Sequence, residues 1–302
     1  MRRRIRSTPV LSLAVAAALG VGAVGVAGCS DDDGGDDAED VGGLDTVVED
    51  DVLAEAVDIA AGGDGIWVAT GEGQVLEVSG DGLEEANGLD AVSSATGIAA
   101  SDDGTLFATD PDRRSLVRYR AGEVATGTVP AVQELSALAA AGDGTVFVAD
   151  HDGLQVVSIG TDGRVEEVVD DALAGPLTVA PDGTLYYVDD QVLGGRIVAL
   201  RPGGGPEGLT QKVERDEEGN PLESPSEGAS AGDSYIEARD LAATDDGLAV
   251  LTFTNEVWRI GADEELELVL RRGGDSALVA LGATGNDVYV LDAGTATLST
   301  LG

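Results

Sequence analysis

Cysteine, lysine and histidine each occur once in this 302-residue chain, and aromatic residues make up only 3% of it. With Cys29 alone no intramolecular disulfide can form, so a domain exported to an oxidising exterior must hold together by packing. Seventeen basic residues stand against 57 acidic ones, a formal charge of −40. Such a surface repels nucleic-acid phosphates and anionic lipid head groups, and nucleic acid is not expected as a partner. The single histidine, His151, lies between Asp150 and Asp152. No Ser or Cys in a recognisable nucleophile motif accompanies it, so the run reads as solvated turn chemistry rather than as a catalytic or metal-binding set. Long helical periodicities are scarce as well. What the chain has in quantity is glycine, 44 residues, in a sequence that is still 43% apolar. That is enough to bury a core, cut into short strands and many turns.

The amino terminus is a separate object. Arg2, Arg3, Arg4 and Arg6 precede an apolar stretch from Val10 to Val26, too short and too weakly hydrophobic for a membrane span, which ends in Val26-Ala27-Gly28-Cys29. This run resembles the lipobox of bacterial lipoproteins. The resemblance implies a signal peptide over residues 1–28, a lipidated Cys29 as first mature residue, and a location on the extracytoplasmic side of the cell membrane. An uncleaved anchor or an ordinary secretory signal would export the domain equally. Residues 29–43 carry Asp31-Asp32-Asp33, Asp36-Asp37 and Glu39-Asp40 between glycines. Self-repulsion extends such a segment, which reads as an acidic tether; its carboxylates lack the ordered spacing of a calcium loop.

From Thr96 to Glu123 the pattern is an apolar run, Asp103-Gly104, a second apolar run, Asp110-Pro111-Asp112, and an alternating third run, Leu116 to Tyr119. These are three short strands joined by two tight turns. Aligned on the residue that closes the second strand, the unit recurs at Thr70, Asp110, Asp150, Asp189, Thr252 and Asp292, at spacings of 40, 40, 39, 63 and 40 residues. Six units of about forty residues without helices predict an all-β fold, a six-bladed β-propeller of four-stranded antiparallel blades. Alanine pairs in the first strands suit convergence on the axis. The aromatics of the second strands (Trp67, Phe107, Phe147, Tyr186, Tyr289) suit the gaps between blades. The sixth unit ends after its third strand, and Leu44 to Glu49, which resembles fourth strands elsewhere in the chain, is expected to close the ring from the N-terminal end. The propeller is thus assigned to residues 44–302, with an inserted loop at about 203–235.

Gly97-Ile-Ala-Ala, Asp103-Gly104, Leu-Phe-Ala-Thr-Asp110 and Arg114-Ser-Leu-Val-Arg-Tyr119 look like the NHL repeat, and residues 44–302 look like an NHL-type propeller. The blade pattern is also similar to the gluconolactonase and senescence-marker family. That likeness implies a divalent metal at the channel mouth held by acidic and Asn ligands from inner strands. Asp58 and Asp240 stand at comparable entries, with Glu237 and Arg239 nearby, but Ala137 and Pro176 occupy the places where that family uses Asn. Two carboxylates fall short of the three or so protein ligands of an open metal site.

The turns after the second strands and the links into the next inner strands share one face. It collects Asp110, Asp112, Arg113 and Arg114; Asp150, His151 and Asp152; and Asp189 and Asp190, with Glu237, Arg239 and the inserted loop beside them. The recurrent Asp at the end of the second strand also caps the turn that follows. The expected function is a monomeric, membrane-tethered binding or sensing module for a protein, a carbohydrate or a small ligand, with no cofactor. The alternatives are a metal-dependent hydrolase of the gluconolactonase type and a passive acidic envelope protein.

Overall fold

A computed structural model describes residues 41–80, 82–86, 89, 97–110, 113–129, 132–189, 195–211 and 225–301. Cys29, most of the tether, Asp112, Asp190 and the centre of the insertion lie outside the described residues.

The N-terminal strand β1 (Leu44–Glu49) precedes a short 3-10 turn and the first blade, β2 (Ala56–Gly62), β3 (Gly65–Thr70), β4 (Val75–Ser79) and β5 (Gly82–Glu85). The second blade is β6 (Ile98–Ala100), β7 (Leu106–Asp110), β8 (Ser115–Arg120) and β9 (Glu123–Thr128). The third is β10 (Leu135–Ala140), β11 (Val146–Asp150), β12 (Gln155–Ile159) and β13 (Val165–Asp170), and the fourth β14 (Ala174–Val179), β15 (Leu185–Asp189), β16 (Arg196–Leu200) and β17 (Pro206–Gly208). The fifth is β18 (Ala238–Thr244), β19 (Gly247–Thr252), β20 (Glu256–Gly261) and β21 (Leu266–Arg271). β22 (Leu278–Thr284), β23 (Asp287–Asp292) and β24 (Thr297–Leu301) complete the sixth with β1 as its outer strand. All pairings within the blades are antiparallel, and the fold is a six-bladed propeller, as the forty-residue period requires.

Turn chemistry cuts the strands to length. Asp103, Asp143 and Asp182 each accept a hydrogen bond from the N–H two residues on, Thr105 at 3.1 Å, Thr145 at 2.8 Å and Thr184 at 2.8 Å. The glycine between takes φ of +76°, +83° and +85° in turn, a conformation that costs other residues a steric penalty. Side chains then fill the junctions between blades. Trp67, 4% exposed, packs with Ile98, Leu106 and Val117 of the second blade, and Phe107 packs with Leu135, Leu138 and Val146 of the third. The aromatics are core, and small inner-strand residues leave room along the axis.

The ring closes as expected: Leu44, Asp45, Thr46, Val48 and Glu49 pair with Leu301, Thr300, Ser299, Leu298 and Thr297. Val48 is buried against the first and sixth blades.

The stretch expected as a loop at about 203–235 begins differently. Residues 206–208 are the outer strand of the fourth blade, pairing with Leu200, Ala199 and Val198. The described end of the insertion is packed rather than free. Gly228 donates to the Leu266 carbonyl and Ala231 to that of Glu264, and Ala231 and Ile236 are fully buried among Val188, Ile197 and Trp258. The sequence there is polar, but two apolar residues, Ala231 and Ile236, suffice to anchor it in the junction between the fourth and fifth blades.

Candidate functional site

Six inner strands line an axial channel of about 370 Å³. In register, the residues at its upper level are Asp58, Gly97, Ala137, Pro176, Asp240 and Ala280. A bulge lies just before Asp58, between Ala56 and Asp58, and another just before Asp240, between Ala238 and Asp240. Bulges re-aim the side chains that follow them. Both aspartates line the channel, as do Arg239 and His151.

The two carboxylates are held alike. Asp58 accepts from the N–H of Ile59 and, across the blade junction, from that of Ile98, both at 2.8 Å. Asp240 accepts from Leu241 at 2.9 Å and, across the next junction, from Leu281 at 2.7 Å. Each therefore straps its inner strand to the following blade, first to second and fifth to sixth. Thr178 does the same one layer along, accepting from Ala243 N–H at 3.1 Å.

Burial and then the like charge of Asp240 push the Asp58 carboxyl up to about 8, against the pull of its two backbone donors. Burial also raises Asp240, but its backbone donors and the neighbouring guanidinium of Arg239 oppose the rise. Arg239 itself is fixed by donating to the Leu278 carbonyl at 2.8 Å. Burial and mutual repulsion thus favour a proton shared by the pair.

The remaining candidates divide into buried and rim groups. Asp150 is fully buried and accepts from Gln133 and Glu134 N–H at 2.9 Å, Gly153 N–H at 3.0 Å and the Gln155 amide at 3.0 Å. It ties the incoming link to the outgoing turn and does not pair with His151, which is exposed at the channel rim beside exposed Asp152. Asp292 does the same in the sixth blade through Ala277, Gly294 and Thr295. Asp110 is 1% exposed and bound by Arg113, whose guanidinium approaches to 2.5 Å. Arg114 is exposed, at φ of +48°. Asp189 is partly buried, 3.6 Å from Arg196, and Glu237 is half-buried beside β18. Asp110 and Asp150 therefore stabilise the upper face from beneath rather than presenting carboxylates on it.

One signal in the sequence tracks the channel aspartates. The first and fifth units end their second strands in Thr70 and Thr252, and they are the two units whose inner strand places an aspartate at the upper level of the channel. The threonine hydroxyls take over the turn, accepting from Gln74 at 3.2 Å and Glu256 at 3.3 Å.

A divalent metal would need free carboxylate oxygens and further ligands beside the pair. All four carboxylate oxygens already accept backbone N–H groups, the other upper-level residues are Gly, Ala and Pro, and among the described residues no three His, Cys, Asp or Glu are grouped to hold a metal. The residues do not fit a tight site.

This channel and these blades define the chain as a six-bladed β-propeller. No protein-family model matches it, and no curated protein matches it. Its likeness is to solved structures. A streptogramin B lyase superposes with a TM-score of 0.59 at 12% identity, over 86% of this chain and 97% of that one. A gluconolactonase from Xanthomonas campestris gives 0.59 at 16%, over 87% and 98%. An auxiliary nutrient binding protein from Bacteroides thetaiotaomicron gives 0.62 at 8%, over 82% and 69%. These identities establish a shared fold.

Proposed function

We propose that the chain is an extracytoplasmic binding module, held to the membrane by lipid on Cys29. Its channel takes a small ligand that offers a positive charge or hydrogen-bond donors to Asp58 and Asp240. One observation carries this reading: a channel walled by small, mostly apolar residues holds two carboxylates at one level. Their mutual repulsion is relieved by a proton in the free protein and is relieved equally by an ammonium group. The superposed propellers include a lyase, a gluconolactonase and a binding protein, so the fold does not choose between chemistries and the site must. Here every carboxylate oxygen is engaged by backbone, which suits a rigid recognition element better than a metal centre.

Thermal shift and calorimetry with small primary amines, amino sugars and neutral sugars of equal size test the proposal. A ligand at a hundredfold excess over its Kd stabilises by about 2.7 kcal/mol, or roughly 5–10 °C in a domain of this size. The expected result is stabilisation by amine-bearing ligands, lost in Asp58→Asn with Asp240→Asn. Lactone hydrolysis or stoichiometric divalent metal that disappears in the same variant would overturn it in favour of a hydrolase.

A further inference from the structure

The outer strand of the second blade lacks what three of its sisters have. In the third, fifth and sixth blades the outer strand places a buried aliphatic residue opposite the third strand: Val169 opposite Val156, Leu270 opposite Val257, and Val48 opposite Leu298. In each a bulge adjoins that pair, sharpening the twist that turns the strand onto the next blade. In the second blade the residue in this place is Gly127, opposite Leu116, and β9 pairs through to its end with no bulge. All six residues of β9 are exposed. A Cβ built on Gly127 would meet no atom within 4 Å, and Gly127 is not one of the described glycines with positive φ. Its lack of a side chain is therefore not required by the backbone.

The space so left is a groove of about 370 Å³ between the second and third blades. Phe107, Leu116, Val146, Ile159 and Val165 contribute apolar surface, with Arg118 and Arg120 at the same groove. The fourth blade offers a comparison. Its outer strand β17 is short and wholly exposed, and the chain fills that junction itself with buried Ala231 and Ile236. In the second blade Val129 and Val132, just past β9, are buried in the corresponding junction, and the groove beside Gly127 stays open next to them. The charges are distinctive too. Arg113, Arg114, Arg118 and Arg120 fall within eight residues of a chain of formal charge −40. Arg120 is neutralised by Asp103 at 2.7 Å and Arg113 by Asp110, and Asp143 at the groove caps its own turn. The exposed guanidinium of Arg118 makes no ion pair with a described residue.

We infer that this groove is a second binding site, separate from the channel, for a small anionic amphiphile: a hydrocarbon body over Gly127 and a carboxylate or similar anion on Arg118. Apolar area supplies the affinity, and a charge-assisted hydrogen bond from Arg118 supplies selection for the anion.

The test uses the full chain carrying Cys29→Ser, so that no attached lipid competes, with decanoate, decanol and decyltrimethylammonium below their micelle concentrations in calorimetry. Decanoate is expected to bind one per chain and about tenfold more tightly than decanol, the charge term being about 1.4 kcal/mol. The cationic probe should not bind at this groove. Arg118→Gln should erase the preference for decanoate. Gly127→Val should abolish binding while leaving Tm unchanged or higher, because it supplies the side chain that sister blades bury. A photoreactive decanoate mapped by mass spectrometry provides a check that needs no variant: labelling within residues 107–128 and 144–165 supports the site, and labelling elsewhere overturns it. Equal affinity for decanoate and decanol, or binding that survives Gly127→Val, would likewise sink the inference.

Discussion

At the scale of single residues, aspartates of one chemical type do opposite things here because their surroundings differ. Burial pushes the Asp150 carboxyl up, but the Gln155 amide and three backbone N–H groups together pull it below its usual value of 3.8. Its ionised form therefore favours the folded state above that value, and the contribution is lost as the pH falls through the folded pKa. Asp58 faces the reverse balance. Its folded pKa, about 8, exceeds the ordinary 3.8, so between those values the folded state holds more protons than the unfolded chain, and stability falls as pH rises. Tm should decline from pH 5 to pH 8.5 in the wild type and decline less in Asp58→Asn. The substituted amide places an N–H against one of two backbone donors, which costs about 1 kcal/mol or more at every pH. The slope, and not the absolute Tm, is the readout. Identical slopes would show that Asp58 titrates normally.

At the scale of strands and blades, much was legible and the limits have physical causes. A period of forty residues, Asp-Gly turns and alanine-rich first strands determined the blade count because each unit repeats the same local chemistry. The closing role of residues 44–49 was readable because an incomplete sixth unit leaves an edge that must be covered. Two features were not readable. The double role of Asp150 depends on Gln133 and Glu134, which lie 17 and 16 residues away in sequence and meet it only in the folded link. The opening beside Gly127 depends on register and on a missing bulge, and a glycine inside a strand announces neither. Closure by β1 has a direct consequence. Deleting residues 44–49 exposes β24 and forfeits the burial of Val48 and the partial burial of Leu44 and Val47, a loss on the order of 4 kcal/mol at usual burial values. Tm should fall by roughly 10 °C. An unchanged Tm would mean that the ring is held by its inner strands alone.

At the scale of the whole molecule, charge and attachment have to be considered together. Residues 1–28 contain four of the 17 basic residues and no acidic one. A mature chain starting at Cys29 would keep 13 basic against 57 acidic residues, a formal charge of −44. Such a body is repelled by an anionic membrane surface within a Debye length of about 8 Å at physiological salt. The carboxylates of residues 31–40 share that repulsion, so electrostatics alone would drive the propeller off the membrane. Among the described residues no helix is long and apolar enough to span one. Lipid on Cys29, as proposed above, would hold the protein at the membrane against this repulsion, with the acidic segment as spacer. Cys29→Ser should therefore shift the protein from the membrane pellet to the soluble fraction on ultracentrifugation. It should leave Tm unchanged, because Cys29 lies before the first blade. Salt separates this from an electrostatic attachment. The wild type should stay in the pellet in both low salt and 1 M NaCl, where the Debye length shrinks to about 3 Å, and the variant should be soluble in both. Retention of Cys29→Ser in the pellet would show that residues 10–26 remain as an uncleaved anchor.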